Sequence, residues 1–140
     1  MFLLDTNVVS ELRGPRRRHP NVLRWAETIP QEQFYLSVVC LTELETGVML
    51  MERRDPRQGA SLRNWFEGTV LPNFAGRILP VDVAVVRCCA RLQVPDPVAA
   101  NDAFIAATAI VHRMTIATRN ISDFARSGAA LFNPWAYDPA

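Results

Sequence analysis

The sequence predicts an α/β fold, a three-layer α/β/α sandwich with a central parallel sheet of four to five strands. Three observations predict it. Short apolar runs alternate along the chain with segments of helical periodicity. Those runs are apolar at nearly every position, so both faces of each strand must be covered, as in parallel sheets. No repeat, low-complexity tract or domain-sized linker interrupts them, and 140 residues with 49% hydrophobic content suit one domain spanning 1–140 around a single core.

The elements follow in order. Phe2-Leu3-Leu4 is a buried strand that ends at Asp5. Asn7 to Arg13 is a short helix, broken at Gly14-Pro15. Asn21 to Thr28 has helical spacing, with Val22, Trp25 and Ala26 on one face. Phe34-Tyr35-Leu36 is the second strand, with Ser37 at its end. Apolar residues then recur at helical spacing from Val38 to Arg54, where Pro56 forbids continuation. Gly59 to Val70 is a further helix, and Arg77-Ile78-Leu79 is a third strand closing at Pro80. Val83 to Leu92 is helical, and Val94-Pro95-Asp96-Pro97 is a turn. Asn101 and Asp102 are placed to cap an apolar helix over Ala103 to His112. Thr115-Ile116-Ala117 is the fourth strand. The polar elbow Thr118-Arg119-Asn120, a short helix over Ser122 to Arg126, and a last strand near Ala130-Leu131-Phe132 complete the chain.

The totals exclude several kinds of function. Cys40, Cys88 and Cys89 are odd in number and two are adjacent, so they form no disulfide framework; they read as reduced core thiols. His19 and His112 complete no Cys/His zinc spacing. No window supplies the ~20 apolar residues of a bilayer span, and Met1-Phe2-Leu3-Leu4 meets Asp5 without a basic segment or cleavage site, so the expected location is the cytoplasm. The net charge of +1 says little, but all fifteen basic residues are arginine. Mechanisms that need a catalytic lysine are thereby excluded, whereas arginine forks still bind phosphate at two points.

The chemistry gathers around acids. Ligands of parallel α/β sheets bind outside the carboxyl ends of the strands. Asp5 closes the first strand, Asp123 follows the fourth, Glu43 lies a few residues beyond the second, and Asp102 opens the apolar helix. Each sits among apolar neighbours, where a carboxylate loses hydration unless something compensates. Convergent carboxylates repel one another, and a hard divalent cation with oxygen ligands, Mg²⁺ or Mn²⁺, resolves that repulsion. Each acid also has a purely structural explanation. Asp5, Asp102 and Asp123 can be helix caps, and Glu43, near Glu45, can be the polar face of a helix. Their common placement, not any one of them, carries the case.

The resemblance is then specific. Leu3-Leu4-Asp5-Thr6-Asn7, Thr42-Glu43-Leu44 with Gly47, the run Asn101-Asp102-Ala103-Phe104-Ile105-Ala106-Ala107-Thr108-Ala109, and Ala117-Thr118-Arg119-Asn120 with Asp123-Phe124 resemble the motifs of PIN-domain proteins. More narrowly they resemble VapC toxins of type II toxin–antitoxin systems. Leu71-Pro72, Phe74-Ala75-Gly76-Arg77-Ile78-Leu79-Pro80 and Phe132-Asn133-Pro134-Trp135 are similar to the FitB-like branch. The resemblance implies a Mg²⁺- or Mn²⁺-dependent endoribonuclease that hydrolyses RNA phosphodiesters in line. It implies neutralisation by a VapB-like antitoxin, contact with DNA only through that antitoxin, and a homodimer or a higher assembly with antitoxin. By position, Asp5, Glu43 and Asp102 match the regular metal-site acids, and Thr6, Asn7, Thr118 and Asn120 match supporting groups. Some relatives keep an acid where this chain has Asn120, so Asp123 is the choice for the fourth ligand. Arg16, Arg17, Arg18 and Arg119 are the candidate RNA contacts, although the dense run after Arg13 also reads as a solvated loop.

Two other readings stand beside this one. A strand ending in Asp-Thr also opens haloacid-dehalogenase-type phosphatases and resembles receiver domains. Both want a lysine that this chain lacks, and the former wants an Asp where Asn7 stands. Alternatively, the domain is chiefly a partner-binding module in an antitoxin–DNA autoregulatory complex with little free nuclease activity, its acidic pocket receiving an Arg or Lys of the partner.

Overall fold

β1 (Phe2–Leu4) has no polar position, and its place in the sheet gives the reason. In the computed structural model, which describes residues 1–14 and 18–139, five parallel strands lie in the order β3-β2-β1-β4-β5. The others are β2 (Phe34–Ser37), β3 (Ile78–Leu79), β4 (Thr115–Ala117) and β5 (Leu131–Phe132). β1 is central, so Leu3 faces one core and Leu4 the other.

The first face is covered by α1 (Thr6–Glu11), α2 (Pro20–Thr28) and α3 (Val38–Arg54). α4 (Pro56–Trp65) adds to it and runs through a π turn at Phe66–Val70 into α5 (Leu71–Asn73). Leu4, Val8, Val9, Trp25, Leu36 and Cys40 are among the residues buried here. Phe2, Phe34 and Phe132 gather around Trp25, with ring centroids 5.1–5.4 Å from the indole. The second face is covered by α7 (Ala100–His112) and α8 (Ile121–Phe124), with α6 (Val83–Leu92) outside α7. α7 presents Ile105, Ala106 and Ala109 to the sheet, and Ala103 and Ala107 to α6. A helix packed on two sides must be apolar nearly all round, and its alanines let both neighbours approach closely.

Several boundaries differ from the sequence reading. α4 begins at Pro56 because Asp55 alone separates it from α3. The Asp55 carboxylate accepts from the N–H groups of Arg57 (3.1 Å) and Gln58 (3.2 Å), and Pro at the first helical position forfeits no bond. The expected capping by Asn101 and Asp102 is corrected. Ala99 takes the cap position and Ala103 N–H already donates to Ala99 O at 3.0 Å, so the helix has closed its first turn before Ala103 and Asp102 lies inside that turn. The last helix begins one residue earlier, at Ile121, and passes into a 3₁₀ turn at Ala125–Ser127. The cysteines are buried and free, as expected. Among the described residues no helix is long and apolar enough to cross a membrane.

The α3–α4 hairpin is tied by Arg63, which reaches Glu45 at 2.6 Å and Glu52 at 2.9 Å. It closes where Gly59 meets the backbone of Glu52; a Cβ at Gly59 would lie 2.4 Å from the Glu52 Cα. Gly59→Ala should therefore destabilise the fold by about 1–3 kcal/mol, the usual cost of overpacking. Gly47→Ala, on the same hairpin with nothing within 4 Å of the added methyl, should stabilise it by up to about 1 kcal/mol. Urea midpoints that move in opposite directions are the expected result. A Gly59→Ala protein as stable as the wild type would mean that the helices separate freely.

Candidate metal centre

The strand order reverses at β1: the chain builds β2 and β3 on one side, then returns to build β4 and β5 on the other. The loops after β1 and β4 therefore diverge and leave a crevice, the usual ligand position in such sheets. Parallel register sets Leu4 beside Ala117, and Asp5 N–H donates to Ala117 O at 2.9 Å. Asp5 thus lies next to Thr118, with 7% and 0% of their surfaces exposed. The two Asp5 carboxylate oxygens have different duties. Oδ1 accepts from Thr6 N–H at 2.8 Å and caps α1; Oδ2 accepts from Thr118 Oγ1 at 2.8 Å and, more distantly, from Asn7 Nδ2 at 3.4 Å.

Glu43 arrives on α3. Ser37, the last residue of β2, accepts from Cys40 N–H at 3.1 Å and starts that helix, which sets Glu43 within its second turn. Its Oε1 accepts from Thr6 Oγ1 at 2.8 Å. Cys40, beneath Thr6, is an inert thiol whose pKa burial pushes up to about 12. Asp102 is half-buried in the first turn of α7, and Asp123 is exposed on α8. Asn120 is exposed, and its N–H donates to Thr118 Oγ1 at 2.9 Å, so it braces the hydroxyl that holds Asp5.

Electrostatics joins the four acids. Burial raises the Asp5 carboxyl above its ordinary range, hydrogen bonds from Thr118 and Thr6 pull it down, and the charges of Glu43 and Asp123 push it up again. Burial likewise raises Asp102, followed by repulsion from Asp123, Asp5 and Glu43. None of the four is ion-paired to an arginine among the described residues. The histidines lie elsewhere: His19 caps α2, and His112 is at the far end of α7, about 15 Å along the axis from Asp102. Such an oxygen-only donor set with uncompensated negative charge fits a hard divalent cation. Among the described residues no three acid, histidine or cysteine side chains close into a ready coordination sphere. Mg²⁺ does not require one, since it keeps several waters and binds through one or two carboxylates.

The basic candidates divide. Arg16 and Arg17 lie outside the described residues. The Arg18 guanidinium is turned inward to Gly14 O. Arg119 is tied to the site through its backbone: its N–H donates to Asn7 Oδ1 at 3.3 Å, while its guanidinium lies over Trp135, 5.3 Å from the ring centroid. Sequence reasoning passed over Arg126, which lines one cavity with Asp102 and Asp123. At the end of a short surface helix it carries no local signal.

The raised Asp102 pKa fixes a pH effect. In the unfolded chain this carboxyl returns to its ordinary range and ionises first as pH rises. The folded state therefore loses relative stability between the unfolded and folded pKa values, and the loss persists at neutral pH. In EDTA, Asp102→Asn should melt above the wild type at pH 7, with the difference vanishing below the ordinary carboxylate pKa of about 3.9. Calorimetry across pH checks this; a lower melting temperature for the variant at pH 7 would refute the repulsion.

Known proteins share this fold and much of this sequence. The family model for the PIN domain matches residues 2–128. The chain is 40% identical over 142 residues to "Toxin FitB" of Neisseria gonorrhoeae, covering 96% of this chain and 99% of that protein. It is 38% identical over 142 residues to "VapC ribonuclease Y4jK" of Sinorhizobium fredii, covering 96% and 98%. The crystal structure of FitAcB from Neisseria gonorrhoeae matches with a TM-score of 0.88 at 38% identity, over 97% of this chain and 99% of that one. The match to the family runs through every element that carries one of the four carboxylates, and the chain belongs to the PIN-domain family.

Proposed function

We propose that this chain is the toxin of a type II toxin–antitoxin system, a divalent-metal-dependent endoribonuclease of the VapC type. The observation that carries the reading is the repulsion that acids from other elements exert on Asp5 and Asp102, with no arginine paired to any of the four among the described residues. Likeness along nearly the whole chain to a protein named a toxin and to one named a ribonuclease supports it.

Asp5, Glu43, Asp102 and Asp123 would hold Mg²⁺ or Mn²⁺. When bound, such an ion acidifies water for attack on phosphorus and offsets charge on the leaving oxygen. The protein's part is orientation. Thr118 Oγ1 and Thr6 N–H each hold one oxygen of Asp5, which fixes the plane of its carboxylate. Thr6 Oγ1 holds Glu43 in the same way. Stacking on Trp135 holds the Arg119 guanidinium in place, and its backbone is tied to Asn7, so it is the candidate positive partner for an RNA phosphate approaching the acids. Arg16, Arg17 and Arg18 remain further candidates for that contact.

A VapB-like antitoxin is the proposed partner, with DNA reached only through it. A groove of about 420 Å³ lined by Val9, Leu12, Ile29, Phe34, Trp65 and Phe74 supports this, as an apolar surface for a partner segment. Exposed Val83 and Val86 on α6 suit contact with a second copy in a homodimer. The proposed location is the cytoplasm.

Asp5→Asn should abolish cleavage of RNA in Mg²⁺ with the fold intact, and EDTA should do the same to the wild type. Thr118→Val should lower activity or metal affinity about 10–100-fold, as loss of a group that orients a ligand does, while Thr118→Ser should retain most of both. RNA cleavage, Mn²⁺ titration and circular dichroism on each protein check this. Undiminished cleavage in EDTA or by Asp5→Asn would sink the metal mechanism. Absence of cleavage by free wild-type protein would favour the partner-binding module.

A further inference from the structure

We propose that the cavity beside Asp102 and Asp123 binds one nucleotide of single-stranded RNA next to the scissile bond, with Arg126 as the ligand of its phosphate. The proposal rests on the ribonuclease reading for the identity of the polymer. The cavity is about 410 Å³, within the ~300–1,000 Å³ of small-ligand sites. Its floor is apolar: Ala103 and Ala106 on α7 and Phe124 on α8 are buried, and the small alanines leave the space open. The loop from Val94 to Ala99 forms the opposite wall. Such a slot takes the face of a base. Asp102 and Asp123 form part of the same lining, so a strand engaged at the acids continues into the cavity without a gap.

Charge identifies the phosphate ligand. The lining carries three carboxylates, Asp96, Asp102 and Asp123, which repel RNA, and Arg126 is the cation of that lining. Arg126 Nη1 lies 3.6 Å from Asp96 Oδ2 across the mouth, and both side chains are largely exposed, at 64% and 73%. A pair this solvated is weakly held. A phosphate, which accepts two parallel N–H bonds from guanidinium, displaces Asp96. Asp96 is therefore a competitor that occupies Arg126 until RNA arrives, and the two residues have opposite effects on binding. Competition is distinguished from general repulsion because most of the Asp96 effect then depends on Arg126.

The test uses the full chain carrying Asp5→Asn, so that bound RNA persists, and a fluorescein-labelled single-stranded RNA of mixed sequence. Anisotropy titrations in Mg²⁺ at several salt concentrations read Kd and its salt slope. Arg126→Ala should weaken binding about 10-fold and reduce the magnitude of the slope by about 0.7, the share of one contact to a single strand. Asp96→Asn should tighten binding severalfold when Arg126 is present and by less than about twofold, the relief of repulsion alone, in the Arg126→Ala background. Both side chains are exposed, and circular dichroism verifies that the variants fold. Unchanged Kd and slope in Arg126→Ala would overturn the proposal. So would weakening by Asp96→Asn that matches Arg126→Ala, or absence of RNA binding by the parent. The ribonuclease reading fails separately: if these Arg126 and Asp96 effects are found while protein with Asp5 intact never cleaves RNA, that reading is refuted and the nucleotide site is upheld.

Discussion

A carboxylate at the end of the central strand must be kept ionised and fixed while almost wholly withdrawn from water. Asp5 can take no other position, because its own N–H continues the ladder to Ala117 and its neighbours Leu3 and Leu4 fill the two cores. The molecule meets this constraint with hydrogen bonds and leaves the charge uncompensated. Thr118 and Thr6 donate to the two oxygens, and hydrogen bonds to an ionised carboxylate favour that form. Burial and the neighbouring acids act the other way and leave the pKa raised. A site in which repulsion is built in and left unpaired is arranged for a cation, since only a ligand removes such strain.

The same residue shows why cap and site are not alternatives. Oδ1 accepts from the first N–H of α1, and Oδ2 accepts from Thr118 on the neighbouring strand end. A carboxylate has two oxygens with separate lone pairs, so one side chain starts a helix and still presents an acceptor to the centre. Asp102 is different. It accepts no cap bond, and it stands inside the first turn of α7 where its charge meets Asp123 and Asp5. Helix N-termini favour negative charge, whereas burial and the other carboxylates raise this carboxyl above its ordinary range.

Packing sets how closely the acids meet. α7 brings Asp102 in because alanines at 103, 106, 107 and 109 let it lie against both the sheet and α6. α3 brings Glu43 in because Ser37 begins the helix directly at the strand end, without a loop. The reversal of strand order at β1 opens the crevice into which both point. The first of these features is a matter of side-chain volume, the second of capping, the third of connectivity. Each is remote from the chemistry, and each moves a carboxylate if altered.

The strands were legible because a parallel sheet buries both faces and leaves no charged position in Phe2–Leu4 or Thr115–Ala117. Asp5 was legible for the same reason, since a charge after an apolar run marks where the sheet stops. Helix starts were less so. Ala99 caps α7 with no polar side chain, against the local preference that pointed to Asn101 and Asp102. By itself the sequence determined the fold class, the candidate acids and the absence of lysine or disulfide chemistry, all of which follow from residue type and period. Only the tertiary structure decided which oxygen of Asp5 meets Thr118, that Arg119 rests on Trp135, and that Arg126 faces Asp96 over a cavity beside the acids. Those contacts join residues far apart in the chain, and their geometry is set by strand order and helix packing, which no local pattern encodes.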